Sequence, residues 1–225
     1  MTKARILLAD DHSLILEGIR KLLESQCEIV GVADNGDGLI REAARTKPDL
    51  VVLDVSMPVL NGIDAAREIR KSLPRVKLVF LSMHSNAIYV RKAMEAGASA
   101  YVLKSGASEE LLTAIEKACQ GQTYFSPGLS HNILDDIKTP SRNGAPRVLH
   151  LTSRQRQILQ MIAEGRQNKE IAAILFVSVR TVEFHRSRLM SRLGAHTVAE
   201  LTRFAIQEGL IAPPPSEPTP FVENQ

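Results

Sequence analysis

Cysteine is scarce in this chain of 225 residues. Only Cys27 and Cys119 occur, far apart and outside any CxxC pair, so neither a disulfide framework nor a zinc site is expected and both are read as free thiols. Long apolar runs are missing too. No stretch approaches the ~20 apolar residues that span a bilayer. Met1 to Arg5 lead into a short apolar run ending in Asp10-Asp11, without the longer apolar stretch and small-residue cleavage site of a signal peptide. A cytoplasmic protein with no membrane partner is therefore expected. No internal repeat is present. With 44% hydrophobic and 24% charged residues the composition excludes global disorder, and the length suits one large domain or two ordinary ones.

Charge is unevenly spread. Residues 1–120 hold 16 Lys+Arg against 16 Asp+Glu, whereas residues 147–212 hold 10 against 5, an excess of +5. A basic module attached to a neutral one points to a polyanion partner for the module.

Hydrophobic periodicity divides the chain in the same place. From residue 5 to 119, short apolar runs alternate with amphipathic stretches. The runs are Ile6–Ala9, Ile29–Val32, Leu50–Leu53, Val76–Leu81 and Ala100–Leu103. Unbroken runs of this kind suit parallel strands buried on both faces. Ile15, Ile19, Leu22 and Leu23 trace one helical stripe, and Leu111, Leu112, Ile115 and Cys119 trace another, with Ser108 expected as its N-cap. The expected fold is α/β: a five-stranded parallel doubly wound (flavodoxin-like) domain over residues 4–120. Residues 121–147, rich in Gly, Pro, Ser and Asn, read as a linker with one short helix around 129–137. Residues 148–211 read as a small all-α four-helix domain. It opens with a Thr152/Gln155 capping box and has further helices at 168–175, 179–193 and 198–207, with a tight turn at Phe176-Val177-Ser178. Residues 212–225 carry five prolines and read as a disordered tail.

In such a sheet, ligands bind beyond the C-terminal strand ends. Those ends carry Asp10-Asp11, Asp54, Ser82 and Lys104. Three carboxylates so close repel one another unless a cation sits among them, and an all-oxygen set suits Mg2+. A carboxylate beside Mg2+ and a lysine can act as a nucleophile towards phosphorus, with the Ser82 hydroxyl donating to a phosphoryl oxygen.

Leu8-Ala9-Asp10-Asp11-His12, Leu53-Asp54-Val55-Ser56-Met57-Pro58 with Asn61-Gly62, Ser82, and Tyr101-Val102-Leu103-Lys104 resemble the motifs of two-component receiver domains. The resemblance implies that Asp54 accepts a phosphoryl group from a sensor histidine kinase. It implies that Asp11 ligates Mg2+ directly, Asp10 mostly through water, and the Ser56 carbonyl completes the protein ligands. Lys104 would contact the phosphoryl oxygen, and Ser82 and Tyr101 would be a switch pair in which the Tyr101 ring turns inward when Ser82 is recruited. His12 reads as a surface residue at a helix start. His84 reads either as a group that tunes dephosphorylation or as a solvent-exposed residue. Receiver domains often place proline after the lysine; Ser105 stands there, which leaves the isomer of the Lys104–Ser105 bond open.

Residues 151–211, through Leu151-Thr152-Ser153-Arg154-Gln155, Asn168-Lys169-Glu170-Ile171-Ala172, Val179–His185 and Gly209-Leu210-Ile211, resemble the LuxR-type helix-turn-helix domain. The two resemblances together imply a response regulator of the NarL/FixJ group. On the expected recognition helix Val182, Leu189 and Leu193 face inward, while Glu183, Phe184, Ser187, Arg188 and Ser191 face outward. Glu183 could accept from a cytosine amino group and Phe184 could contact a thymine methyl. Alternatively, Glu183 complements the helix dipole and Phe184 packs locally. Lys169, Ser178, Arg180, Thr181, Arg188 and Arg192 are candidate phosphate contacts. The partners implied are a histidine kinase, double-stranded promoter DNA and a second copy of the chain in the active form, with RNA polymerase as a candidate. The last helix could supply the dimer surface. Phosphorylation is expected to release a recognition helix hidden against the receiver. The competing readings are a constitutive DNA-binding regulator with a non-switching, receiver-like dimerisation domain, and a phosphotransferase or phosphatase acting on other substrates. No external enzymatic activity is expected beyond phosphorylation and dephosphorylation of Asp54.

Overall fold

The computed structural model describes residues 3–129 and 151–213. All but the first residue of the helix expected at 129–137, and the tail beyond Pro213, lie outside them. The N-terminal unit is a parallel sheet of six strands in the order β2-β1-β3-β4-β5-β6. The strands are β1 (Arg5–Ala9), β2 (Glu28–Ala33), β3 (Leu50–Asp54), β4 (Lys77–Ser82), β5 (Ala100–Leu103) and β6 (Tyr124–Phe125). The helices are α1 (Ser13–Leu23), α2 (Gly36–Thr46), α3 (Gly62–Ser72), α4 (Ala87–Glu95) and α5 (Ala107–Cys119).

Strand side chains alternate between faces, and helices cover both. Leu7, Val51, Leu53, Phe80 and Tyr101 pack in one cluster on one face, whereas Ile6, Leu8, Leu50, Val52, Val79, Leu81 and Val102 pack in another on the opposite face. This double burial explains the unbroken apolar runs. The edge strand β2 departs from it: only its Ala33 is buried, and among the described residues no strand pairs with its outer side.

Two expectations need correction. The sheet has a sixth strand, β6, beside β5. It is two residues long, too short for a periodic signal, and it falls within the segment read as linker. Helix α5 begins at Ala107, with Gly106 as its N-cap rather than Ser108. A 3₁₀ turn over Lys104–Gly106 already curls the chain, so the helix starts two residues early.

The C-terminal unit contains α6 (Ser153–Ala163), α7 (Asn168–Ile174), α8 (Val179–Leu193) and α9 (Val198–Gln207). The Thr152/Gln155 capping box forms as expected, and Ser178 caps α8 by accepting from the Thr181 N–H. Ile158, Leu159, Ile162, Ile171, Val182, Leu189 and Leu201 make its core. Between α7 and α8 the chain turns through Phe176 in the left-handed region (φ 52°). Among the described residues no helix is long and apolar enough to cross a membrane.

Candidate functional site: an acidic crevice and a basic recognition helix

Strand order reverses beside β1, and the crevice there receives the C-terminal ends of the strands. Gly62 fixes its floor. A Cβ on Gly62 would lie 1.9 Å from the Asp54 carbonyl oxygen, so only glycine lets α3 start this close to the end of β3. Asn61 caps α3, its side-chain oxygen accepting from the Asp64 N–H at 2.9 Å.

The sheet brings together the residues picked from the sequence. Lys104 Nζ lies 2.7 Å from Asp10 Oδ2 and 2.9 Å from Asp54 Oδ2. All three side chains are almost wholly buried. Burial raises the Asp54 pKa; Lys104 opposes this and Asp10 adds to it. Burial also works against charge on Lys104, but Asp10 and Asp54 outweigh it and hold the lysine pKa above its ordinary value. Asp11 is partly exposed at the mouth and pairs with His12 Nδ1 at 2.8 Å. Asp10, Asp11, His12 and Asp54 each offer a ligand atom, all within 4.8 Å of one another. The donors are mostly carboxylate oxygens, which suits a hard divalent cation. The Ser56 backbone N–H helps to hold the Asp54 pKa down, so the Ser56 peptide borders the same site. The Lys104–Ser105 bond is trans.

Tyr101 is fully buried and donates to the His84 carbonyl at 2.7 Å, so its ring already points inward. Burial raises its pKa, with the Ser82 hydroxyl opposing. His84 is not merely solvent-exposed: its ring bonds Ser56 Oγ at 3.1 Å, and its N–H donates to Ser82 Oγ at 3.0 Å. Burial first, and Lys104 second, lower its pKa.

On α8, Val182 and Leu189 are buried, whereas Glu183, Phe184, Ser187, Arg188, Ser191 and Arg192 are exposed. Ser178 and Arg180 are exposed at its start and Lys169 lies on α7, with Thr181 half-buried. The Arg188 guanidinium sits over the Phe184 ring, 5.3 Å from its centroid. His185 is half-buried, between the inward and outward faces of the helix.

Sequence reasoning missed the surface that joins the two units. Gln160, on α6, is buried against the loop after β3. Its Oε1 accepts from the Asn61 N–H at 2.8 Å, and its Nε2 donates to the Met57 carbonyl at 2.8 Å. Arg156 Nε meets Asp64 Oδ1 at 2.7 Å, Gln157 donates to Asp37 at 3.0 Å, and Ser153 bonds Glu68. Val59, held at φ 69°, packs on the helical core. Beyond α9, Glu208 pairs with Lys92 at 3.1 Å. A cleft of about 560 Å³ opens beside the crevice, with Asp11, Ser56 and Pro58 on one wall and Glu164, Arg166 and Glu170 on the other. Ser153, Arg156, Gln157 and Gln160 share one helical face, i, i+3, i+4, i+7. That polar stripe was the available signal. Docking therefore uses α6 and the chain after α9. The outer face of α8 stays open, contrary to the expectation that the receiver hides it.

The fold and the crevice define a receiver-type signalling domain joined to a helix-turn-helix module. Comparison with known proteins agrees. The family model described as response regulator receiver domain matches residues 6–116, and that of the LuxR family of bacterial regulatory proteins matches residues 149–205. The chain is 36% identical over 212 residues to the transcriptional regulatory protein MctR of Rhizobium johnstonii, covering 93% of this chain and 96% of the relative. It is 34% identical over 207 residues to the response regulator UvrY of Escherichia coli, covering 91% and 94%. A structure of RcsB from Salmonella enterica serovar Typhimurium, bound to a promoter in the presence of the phosphomimetic BeF3-, is similar at a TM-score of 0.54 and 26% identity, covering 89% of this chain and 97% of that one. The chain belongs to the response regulators of the NarL/FixJ group, with a receiver domain and a LuxR-type DNA-binding domain, and is homologous to regulators of transcription.

Proposed function

We propose that Asp54 accepts a phosphoryl group from the phosphohistidine of a sensor kinase and that this controls promoter binding by α8. The observation that carries this reading is the buried convergence of Asp10, Asp54 and Lys104, which holds one carboxylate between a cation and an acidic pocket. The N–P bond of the donor breaks as an Asp54 carboxylate oxygen forms the new O–P bond. Asp10, Asp11, Asp54 and the Ser56 carbonyl would hold Mg2+, which offsets charge on the transferred group. Lys104 neutralises a phosphoryl oxygen from its place beside Asp54, and Ser82 donates to another. Tyr101, its ring already inward on the His84 carbonyl, is the second member of the switch beside Ser82. Loss of the phosphoryl group by hydrolysis at the same aspartate returns the chain to rest; no other substrate is assigned.

The functional units are residues 4–120 and 148–211, joined by 121–147 and followed by the tail 212–225. Glu183 and Phe184 read bases; Lys169, Ser178, Arg180, Thr181, Arg188 and Arg192 hold the backbone of double-stranded DNA, and Ser187 faces the same groove. A symmetric dimer formed through α9 matches paired half-sites. The protein works in the cytoplasm, where kinase, promoter DNA and RNA polymerase are met.

Intact mass after incubation with acetyl phosphate tests the reading. One phosphoryl group is gained with Mg2+, not without it, and not in Asp54→Ala; the loaded wild type then binds DNA more tightly. A folded protein that gains nothing is a constitutive binder. A gain that survives Asp54→Ala places the acceptor elsewhere.

A further inference from the structure

His84 touches Ser82, Tyr101 and Ser56 beside the crevice and Tyr89 beside the docking surface. Its N–H holds Ser82 Oγ at 3.0 Å, its carbonyl accepts the Tyr101 hydroxyl at 2.7 Å, and its ring bonds Ser56 Oγ at 3.1 Å. The same ring stacks on Tyr89 of α4, with centroids 4.4 Å apart and planes 18° apart. The Tyr89 hydroxyl in turn donates to the Ile211 carbonyl at 3.2 Å, in the chain just beyond α9. Gly209, left-handed at φ 54°, lets that chain run close against the Tyr89 ring: a Cβ there would sit 3.2 Å from a ring carbon. Lys92, one turn along α4 from Tyr89, holds Glu208. An unbroken series of contacts therefore runs from the Asp54 crevice through one imidazole and one phenol to the DNA-binding unit.

We propose that His84 is a positioning residue that couples the phosphoryl site to docking of the DNA-binding domain, through its stack on Tyr89. This rests on the phosphorylation reading above. The bistable element is the Ser82 hydroxyl. At rest it accepts from the His84 N–H; turned to a phosphoryl oxygen on Asp54, it leaves that N–H. The His84 ring then shifts on Tyr89, and the Tyr89–Ile211 contact that favours the docked form is lost. Each state has its own set of contacts, as a population shift requires.

The test measures the ratio of open to docked molecules by pulsed EPR, with one spin label on an exposed position of each domain. It compares full-length protein before and after acetyl phosphate, with loading verified by mass. In wild type, loading raises the ratio by a factor in the ordinary coupling range of about 5 to 150, whereas in His84→Ala and in Tyr89→Leu the factor falls to about 2 or below. The double variant responds no less than either single variant, because both break one link. Tyr89→Leu leaves the crevice side chains untouched and carries the test alone should His84→Ala not fold. A merely structural role lowers stability but leaves the factor unchanged. Variants that respond as fully as wild type, additive losses in the double variant, or a His84→Ala protein that folds but takes up no phosphoryl group overturn the link. Wild type that gains no phosphoryl group overturns the phosphorylation reading, and the link with it.

Discussion

The crevice and the outer face of α8 both carry charged residues chosen for chemistry, yet they are built in opposite ways. In the crevice Asp10, Asp54 and Lys104 are withdrawn from water and are one another's partners. On α8, Glu183, Ser187 and Arg188 are solvated, and the cation–π contact of Arg188 with Phe184 is a local one. A buried charge persists only while its counter-charge is in place, so the crevice has one geometry and a change to one member is felt by all. An exposed charge costs little to hold and contributes when a polyanion arrives. The first region stakes folding stability on its chemistry; the second does not.

Substitutions can break that contrast. Lys104→Ala leaves two buried carboxylates facing each other and should cost ~3–5 kcal/mol of stability, read from the denaturant midpoint. Added Mg2+ should restore part of this, because a cation can stand where the ammonium did. Unchanged stability, indifferent to Mg2+, would place the crevice in the same class as the surface. Gln160→Ala tests the surface between the two regions. It strips partners from the Asn61 N–H and the Met57 carbonyl, a penalty of ~1–3 kcal/mol if the groups stay buried. Undocking lets water satisfy both, so the expected result is a larger scattering radius with an unaltered receiver. A variant that stays as compact as wild type would show that Gln160 is not what holds the docked form.

Arg188→Ala should leave the denaturant midpoint alone and weaken DNA binding across all sequences, with the log–log salt slope shallower by ~0.9. A fall in stability would contradict its solvated placement. The smallest effect is expected at His84, whose imidazole is held below its ordinary value of 6.5. Below pH 6.5 the unfolded chain takes up a proton that the folded chain refuses. The contribution is therefore complete above 6.5 and is lost as pH falls towards the folded value. Denaturation of His84→Leu across this range should give a flatter stability curve than wild type. An identical slope would mean that the ring titrates as it does in water.

Much of this was legible in the sequence because it depends on local pattern. The runs at Ile6–Ala9 and Leu50–Leu53 are unbroken because both sheet faces are covered, and the polar residue ending each run falls at a strand's C-terminal end. The same logic located Lys104 and Ser82. The span of α8 was readable because Ser178 caps it and Gly194, at φ 63°, closes it. The resting rotamer of Tyr101 was not legible, because one aromatic near a strand end fits both an inward and an outward position. β6 and the early start of α5 were not readable: two residues carry no period, and a 3₁₀ turn leaves no cap signature.

Gln160 shows the limit most clearly. A glutamine on an amphipathic helix reads as solvent-facing, and only a partner surface offering a free N–H and a free carbonyl makes its burial favourable. His84 is similar, since Ser56 and Tyr101 reach it from 28 and 17 residues away in the chain. Composition and periodicity determined by themselves that this protein is a parallel α/β sheet followed by a basic helical module, because hydrophobic periodicity and capping act over a few residues. Which faces meet, which polar side chains are dried and which ring links the crevice to the DNA-binding unit were decided only in three dimensions. Hydrogen-bond satisfaction between residues up to 122 apart in the chain depends on where the fold places their partners, and no local pattern encodes that.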